Sequence, residues 1–107
     1  MLYEMRTYEV VPGQLNRLHD RFATITLDYF AKHGIVPVAF WTDVVGVSNR
    51  LTYIVRYDDL AHRERAWTAF MTDAERLAVF AETEKDGPIV QRIENRLLSP
   101  TDYSPLP

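Results

Sequence analysis

The sequence predicts an α+β protein of the ferredoxin-like class, with the element order βαββαβ. Residues 37–60 have the composition of two long strands, rich in β-branched and aromatic side chains, with Gly46 and Asn49 at the reversal. A segment with apolar residues at helical spacing lies on each side of this hairpin, and a strand-like segment lies near each end of the chain. We therefore expect a four-stranded antiparallel sheet with helices on one face.

The first half of the chain is predicted as a strand followed by a helix. Residues 2–10 alternate between apolar and charged side chains, which is typical of a strand. Pro12 and Gly13 then favour a turn. Apolar residues recur at steps of three and four over 14–32, which predicts the first helix, and Gly34 is the residue type that commonly ends one.

The second half is predicted as a broken helix and a strand. An amphipathic pattern over 60–71 predicts the second helix, and Thr72 with Glu75 has the capping-box spacing that restarts it. Residues 89–98 alternate with a period of two and predict the last strand. The tail over 99–107 contains three prolines, so we expect it to be extended.

Composition restricts the class of protein. The chain has 107 residues, no cysteine and a formal net charge of −3, from 12 basic and 15 acidic side chains. The length predicts one domain over 1–107, and the mixed charges predict no nucleic-acid partner. Without a long apolar stretch or a leader-like start, we expect a soluble protein with no membrane partner. The lack of cysteine favours a cytoplasmic location.

Strand residues predict a second subunit. Phe40 and Trp41 are neighbours on one strand, as are Tyr53 and Ile54 on the next, so apolar side chains are expected on both faces of the sheet. Two helices can cover only one of these faces. We therefore expect a homodimer in which two sheets pack face to face as an α+β barrel.

Five segments in this order cover nearly the whole chain: YEMRTYEVVPGQ, KHG, FWTDVVGVSN, YDDLAHR and NRLLSPTDYSPL. Together they resemble the NIPSNAP family. The resemblance implies a dimeric α/β barrel, a fold that also includes cofactor-independent oxygenases, polyketide cyclases, lactone isomerases and haem-degrading enzymes. It implies no single reaction.

Polar residues on the first strand form the first candidate site. Glu4, Arg6 and Tyr8 share one face, where a carboxylate, a guanidinium and a phenol can hold a small carbonyl or carboxylate ligand. The alternative is an ion-pair network at the dimer interface, since charged residues on sheets often pair for structural reasons.

Aromatic residues and one histidine are further candidates. Tyr53 and Tyr57 share a face of the third strand, and either phenol can act as a general acid. Trp41 can line an aromatic pocket, and His19 can act as a base from the first helix. The alternatives are core packing for the three aromatic residues and a half-exposed position for His19.

The sequence predicts no metal ion and no cofactor. The three histidines lack the spacing of a zinc site, and there is no HExxH, GxGxxG, phosphate-loop or GxSxG motif. His33 is expected at the end of the first helix, and His62 is expected in solvent.

Two functions remain open at this point. In the first, the protein binds a small hydrophobic carbonyl or aromatic compound and acts on it by proton transfer, with Arg6, Tyr53 and His19 as catalytic residues. In the second, it is a binding or interaction module whose interior is filled by large side chains such as Trp67 and whose polar strand residues serve the dimer interface. A cavity of about 300 Å³ or more favours the first hypothesis. We expect at least two of Arg6, Tyr53, Tyr57 and His19 on its wall.

Overall fold

A four-stranded antiparallel sheet forms one layer of the computed structural model, which describes residues 1–107. The strands are β1 (Leu2–Val10), β2 (Val36–Thr42), β3 (Arg50–Tyr57) and β4 (Val90–Leu98). Their order in the sheet is β2-β3-β1-β4, so that β1 is central and β4 is an edge strand. This arrangement confirms the predicted ferredoxin-like fold.

The helices form the second layer. They are α1 (Leu15–Arg21), α2 (Leu27–His33), α3 (Leu60–Thr72) and α4 (Ala74–Thr83). A π-helical segment, Phe22–Thr26, joins α1 to α2 without a break in the chain direction. The sequence predicted one regular helix over 14–32, because a π-helical segment has no simple sequence pattern. None of these helices is both long and apolar enough to cross a bilayer.

Aspartates begin the two later helices. Asp59 accepts a hydrogen bond from the backbone N–H of His62 at the start of α3, and Asp73 accepts one from that of Arg76 at the start of α4. The predicted capping box at Thr72 is wrong, because the Thr72 hydroxyl instead donates to the carbonyl of Thr68 within α3. Asp73 fills the N-cap position one residue later.

The loop between β2 and β3 is longer than predicted. The predicted strand continued to Val45, but β2 ends at Thr42, and residues 43–49 form the connection. Val45 is almost fully exposed, so it packs against neither layer. The Asp43 carboxylate accepts hydrogen bonds from the Val47 N–H and the Arg50 side chain, which organises the loop.

The core lies between the helices and one face of the sheet. Leu51, Tyr53, Val55 and Tyr57 of β3 are buried there. Ala66 and Phe70 are the buried residues of α3, whereas Trp67, expected to help fill the interior, is only partly buried. Each fully buried large apolar side chain stabilises such a core by about 1.5–3 kcal/mol.

The other face of the sheet carries no helix and is mixed in character. Trp41 is 50% exposed on this face, where Met5 and Ile54 also lie. On β4, however, the same face presents Arg92, Glu94 and Arg96, so the expected apolar surface does not extend to this edge. Charged side chains on an edge strand oppose unwanted strand pairing.

The C-terminal tail contacts the sheet. The Tyr3 hydroxyl donates to the carbonyl of Pro107 at 2.8 Å, and Tyr3 is buried. The tail was expected to be extended throughout, but the Ser104 N–H donates to the Thr101 carbonyl and closes a turn.

Candidate functional site

Glu4 is the centre of a buried polar cluster between β1 and α3. Its side chain is fully buried, and its carboxylate accepts hydrogen bonds from four residues. The donors are the Tyr57 hydroxyl at 3.0 Å, Asn95 Nδ2 at 2.8 Å, Arg6 Nη1 at 3.1 Å and Arg63 Nη2 at 3.2 Å. These bonds satisfy the carboxylate and fix the position of Arg6.

The cluster keeps Glu4 ionised. Burial alone raises the pKa of this carboxyl, but hydrogen bonds from Arg63 and Asn95 and the charge of Arg6 outweigh it, so the pKa lies below its usual value. Burial, followed by the Glu4 charge, raises the pKa of Tyr57. Tyr57 therefore stays protonated and donates to Glu4 throughout the physiological pH range.

A second chain of hydrogen bonds runs from Arg6 through two phenols. Arg6 Nε donates to the Tyr53 oxygen at 2.9 Å, and the hydroxyls of Tyr53 and Tyr8 lie 2.8 Å apart. Burial, and then the neighbouring Tyr8, raise the pKa of Tyr53 well above its usual value, although Arg6 acts in the opposite direction. Tyr53 is therefore a neutral hydrogen-bonding group at physiological pH.

A cavity of about 530 Å³ lies between the helices and the β1–β4 half of the sheet. Arg6, Tyr8 and Asn95 form its polar floor, and aromatic side chains of the helix layer form its apolar wall: Phe22, Phe30, Trp67, Phe70 and Phe80. Ile93 of the edge strand also lines the cavity and is 45% exposed, so the cavity opens to solvent beside β4.

Arginine is the dominant charged residue of the cavity. Arg6, Arg21, Arg63 and Arg76 all line it, whereas Glu84 is the one acidic residue on the wall. The Arg6 guanidinium lies 4.3 Å from the centroid of the Trp67 ring, a favourable cation–π distance. The cavity is thus both aromatic and positively charged.

Sequence reasoning missed Arg21 and Arg76 because arginines on amphipathic helices usually lie in solvent. Both are buried here. A signal was present in the spacing, because Arg21 follows Leu18 by three residues and Arg76 precedes Phe80 by four, which places each on an apolar helix face.

The structure brings five of the seven predicted site residues together. Arg6 and Tyr8 line the cavity. Glu4, Tyr53 and Tyr57 lie behind them, connected by the hydrogen bonds described above. The cavity exceeds the expected minimum volume. The expectation that at least two of Arg6, Tyr53, Tyr57 and His19 would line it is wrong, because Arg6 alone does so.

His19 and Trp41 lie elsewhere. His19 lines a separate depression of about 170 Å³ beside Phe40 and Leu51. Trp41 pairs with Thr52 on the uncovered face of the sheet, so it points away from the helix layer. The sequence could not predict these positions, because it does not show which face of the first helix or of β2 meets the cavity.

The other two histidines connect elements of the fold. His62 was expected in solvent, but its Nδ1 accepts from the Asp58 N–H and its Nε2 lies 2.9 Å from the Gly34 carbonyl, which fixes the neutral tautomer with a proton on Nε2. His33 Nε2 lies 2.7 Å from the Asp73 carboxylate. No group of three or more His, Asp or Glu side chains is placed to ligate a metal ion.

The NIPSNAP family model matches residues 3–105. The chain belongs to the NIPSNAP family. This confirms the resemblance drawn from the five sequence segments. No curated protein matches this chain.

Solved structures agree with the NIPSNAP fold. A NIPSNAP domain protein from Burkholderia xenovorans is 23% identical, with coverage of 98% of this chain and 99% of its own and a TM-score of 0.85. A NIPSNAP family protein from Agrobacterium tumefaciens is 20% identical, with coverage of 99% and 98% and a TM-score of 0.87. An antibiotic biosynthesis monooxygenase-like protein from Deinococcus radiodurans is 8% identical, with coverage of 99% and 98% and a TM-score of 0.65. At these identities the likeness concerns the fold alone.

Proposed function

We propose that this NIPSNAP protein binds a small, partly apolar compound in the cavity and catalyses a proton transfer on it without a bound cofactor. The observation that carries the proposal is the cavity of about 530 Å³, which combines an aromatic wall with the polar floor of Arg6 and Tyr8. Its volume lies in the range of about 300–1,000 Å³ that is typical of small-molecule sites.

Arg6 has the role of holding a ligand oxygen. Its Nε and Nη1 are used by Tyr53 and Glu4, whereas its Nη2 makes no hydrogen bond within the protein. When a base from solvent removes the proton on the carbon next to the ligand carbonyl, a fixed guanidinium of this kind stabilises the negative charge that develops on the carbonyl oxygen.

Tyr8 has the role of general acid. Tyr53 accepts from Arg6, and when it donates to Tyr8, the Tyr8 proton is free for a ligand oxygen. Tyr53 is then a positioning residue behind Tyr8, which revises the catalytic role expected for it. His19, which lies outside the cavity, has no part in this proposal.

The competing hypothesis assigned the polar strand residues to a subunit interface. Glu4, Arg6 and Tyr8 are all buried within one chain, under the helix layer. They are therefore not available to a partner, which supports the ligand-binding function.

The proposal includes a homodimer in a reducing, cytoplasmic compartment. The uncovered face of the sheet carries the exposed Trp41 on the edge strand β2, with Ile54 on the neighbouring strand and Met5 on the next. A second copy packed on this face would shield these side chains from water. The absence of cysteine is the basis for the compartment.

The binding step is tested by calorimetric titration with 2-naphthamide, a neutral aromatic probe with a carbonyl group. We expect Ile93→Trp to abolish binding, because the indole would fill the mouth of the cavity. Leu77→Trp is the matched control, since Leu77 is half-exposed on α4 and lines no cavity. Equal binding by both variants would place the probe elsewhere and contradict the assignment.

The proton-transfer step is tested by NMR, from the rate at which the α-protons of 2-tetralone exchange with deuterated water. We expect the protein to accelerate this exchange, and Tyr8→Phe to reduce the acceleration by about 100-fold or more. Tyr103→Phe, in the exposed tail, is the control. If Tyr8→Phe left the acceleration unchanged, the role of Tyr8 as general acid would be contradicted.

A further inference from the structure

We propose that the ligand of this cavity is an anion, a flat apolar compound with a carboxylate group, and that Arg76 binds the carboxylate. This inference rests on the proposed function and adds the chemical class of the ligand. It depends on how Arg76 is buried, on what surrounds it and on the balance of charge around the cavity.

Arg76 is a buried cation without an anionic partner. Arg76 is only 5% exposed and is one of the residues that line the cavity. Nε donates to the carbonyl oxygen of Phe70 at 2.7 Å, but neither terminal nitrogen makes a hydrogen bond within the protein. No carboxylate of the chain lies within ion-pair distance of this guanidinium.

The nearby carboxylate of Asp73 is already used. Its Oδ2 accepts from Lys32 Nζ at 2.8 Å and lies 2.7 Å from His33 Nε2, and its Oδ1 accepts from the backbone at the start of α4. Burial lowers the pKa of Arg76; Asp73 opposes this effect, whereas the charge of Arg21 adds to it. The positive charge of Arg76 is thus only partly offset by the protein.

An uncompensated buried charge is unfavourable, so buried arginines normally have a carboxylate partner. The same chain follows this rule at Arg6, which is paired with Glu4, and at Arg21, which is paired with Glu84 at 2.9 Å. Arg76 departs from the rule at the position where the cavity meets α4. A ligand carboxylate would supply the missing partner, and its planar shape suits two parallel hydrogen bonds from a guanidinium.

Two further donor atoms in residues that line the cavity also lack partners. The Nε atom of Arg21 and the Oγ1 atom of Thr26 are buried without a hydrogen bond to the protein, and both residues line the cavity. Arg21 and Arg76 each lie 4.7 Å from the centroid of the Phe80 ring, so both guanidinium groups are near one aromatic side chain. Arg21 therefore adds a second guanidinium at this end of the cavity.

The remaining wall selects a flat apolar body. The Trp67 and Phe70 rings are stacked at 5.2 Å, and Phe80 lies edge-on to Phe70 at 6.2 Å. Aromatic rings favour such offset or edge-on contacts with a further flat group. The four arginines exceed the acidic charges of Glu84 on the wall and Glu4 beneath it, so the cavity is positively charged overall.

The test compares 2-naphthoate with 2-naphthamide, which have the same shape and differ in charge. In calorimetric titrations at neutral pH and low salt, we expect the protein to bind the naphthoate at least about 10-fold more tightly, the scale of one charge-assisted hydrogen bond. In Arg76→Met this preference should disappear while the amide still binds. Arg65→Met removes an exposed arginine outside the cavity and should keep the preference.

The outcomes separate this inference from the proposed function. If the protein binds both probes equally, the anionic class is wrong and the binding function stands. If it binds neither, both fail. A preference that persists in Arg76→Met would overturn the assignment to Arg76. Arg76→Lys keeps the charge and provides a second variant if the methionine variant does not fold, and it should retain a reduced preference.

Discussion

Two buried charges, Glu4 and Arg76, differ in how the protein compensates them. Glu4 is surrounded by four hydrogen-bond donors, two of which are cationic. Arg76 is nearly as buried but donates only to a backbone carbonyl. The charge of Glu4 has all its partners within the chain, and this arrangement stabilises the fold. In our proposal, the charge of Arg76 gains a partner only when a ligand binds.

The Glu4 cluster predicts a large effect of removing one charge. Glu4→Gln should lower the free energy of unfolding by about 3 kcal/mol, because it leaves two guanidinium groups without their buried partner. Urea denaturation at pH 7 measures this loss. Glu64→Gln is the control, since Glu64 pairs with the same Arg63 at an exposed position and should cost less than about 1 kcal/mol. Similar losses for the two variants would contradict a buried-pair role for Glu4.

At the residue scale, the sequence predicted the polar site residues on β1 but missed the buried arginines of the helices. The alternation of β1 placed Glu4, Arg6 and Tyr8 on one face, and the structure places all three under the helix layer. It could not show that Tyr53 lies behind Tyr8, since that depends on pairing across strands that are far apart in the chain. Arg76 was missed for a similar reason, because burial of a helical arginine depends on the packing of other elements.

At the scale of elements, one side chain joins the end of α2 to the start of α4. Asp73 caps α4 through its Oδ1, while its Oδ2 contacts Lys32 and His33. Hydrogen bonds from Lys32, from the Arg76 N–H and from His33 lower the pKa of this carboxyl below its usual value. Helices α2 and α4 are therefore connected through the Asp73 side chain, and these contacts need its carboxylate in the ionised form.

This connection predicts how the free energy of unfolding changes as the pH falls. A carboxyl whose pKa is lowered on folding contributes stability that is full above its unfolded pKa of about 3.9 and is lost as the pH falls through the folded value. Asp73→Asn keeps an N-cap residue but removes the charge, so its stability should decline less steeply than that of the wild type below about pH 5. Denaturation curves at a series of pH values measure this slope.

The control for this prediction is Asp86→Asn, because Asp86 is exposed and makes no hydrogen bond or ion pair through its side chain. It should leave the pH profile unchanged. If the profile of Asp73→Asn instead runs parallel to that of the wild type, the ionised form of Asp73 does not connect the helices.

Element types were predicted better than their details. The strands and helices follow from hydrophobic periodicity, which samples many residues at once. The cap of α4 and the π-helical segment each depend on one or two hydrogen bonds, and a shift of one residue was enough to misplace the cap. The loop over 43–49 was too short in the prediction because valines favour strands wherever they occur.

At the scale of the whole molecule, the protein is a two-layered plate. Its extents are 45 × 37 × 20 Å, and the short dimension corresponds to one sheet and one layer of helices. Two layers could be predicted from the order of the elements alone. The prediction of a second subunit depended on the polarity of the uncovered face, which is apolar near β2 and charged on β4.

The proposed dimer predicts the mass of the protein in solution. Size-exclusion chromatography with light scattering at micromolar concentration should give twice the 12.5 kDa of one chain. Trp41→Asp should yield a monomer, because it places a charge in the apolar part of the proposed contact. Leu77→Asp, on the helix side of the plate, should remain dimeric. A wild-type protein of 12.5 kDa would contradict the dimer.

The two tryptophans of the chain lie on opposite sides of this plate, Trp67 at the cavity and Trp41 on the uncovered face. Each indole therefore provides an intrinsic fluorophore for a different proposed event. In Trp41→Phe, the remaining indole emission comes from Trp67 and would report the proposed ligand binding. In Trp67→Phe, it comes from Trp41 and would report the proposed assembly. The two variants thus separate the two events without an added label.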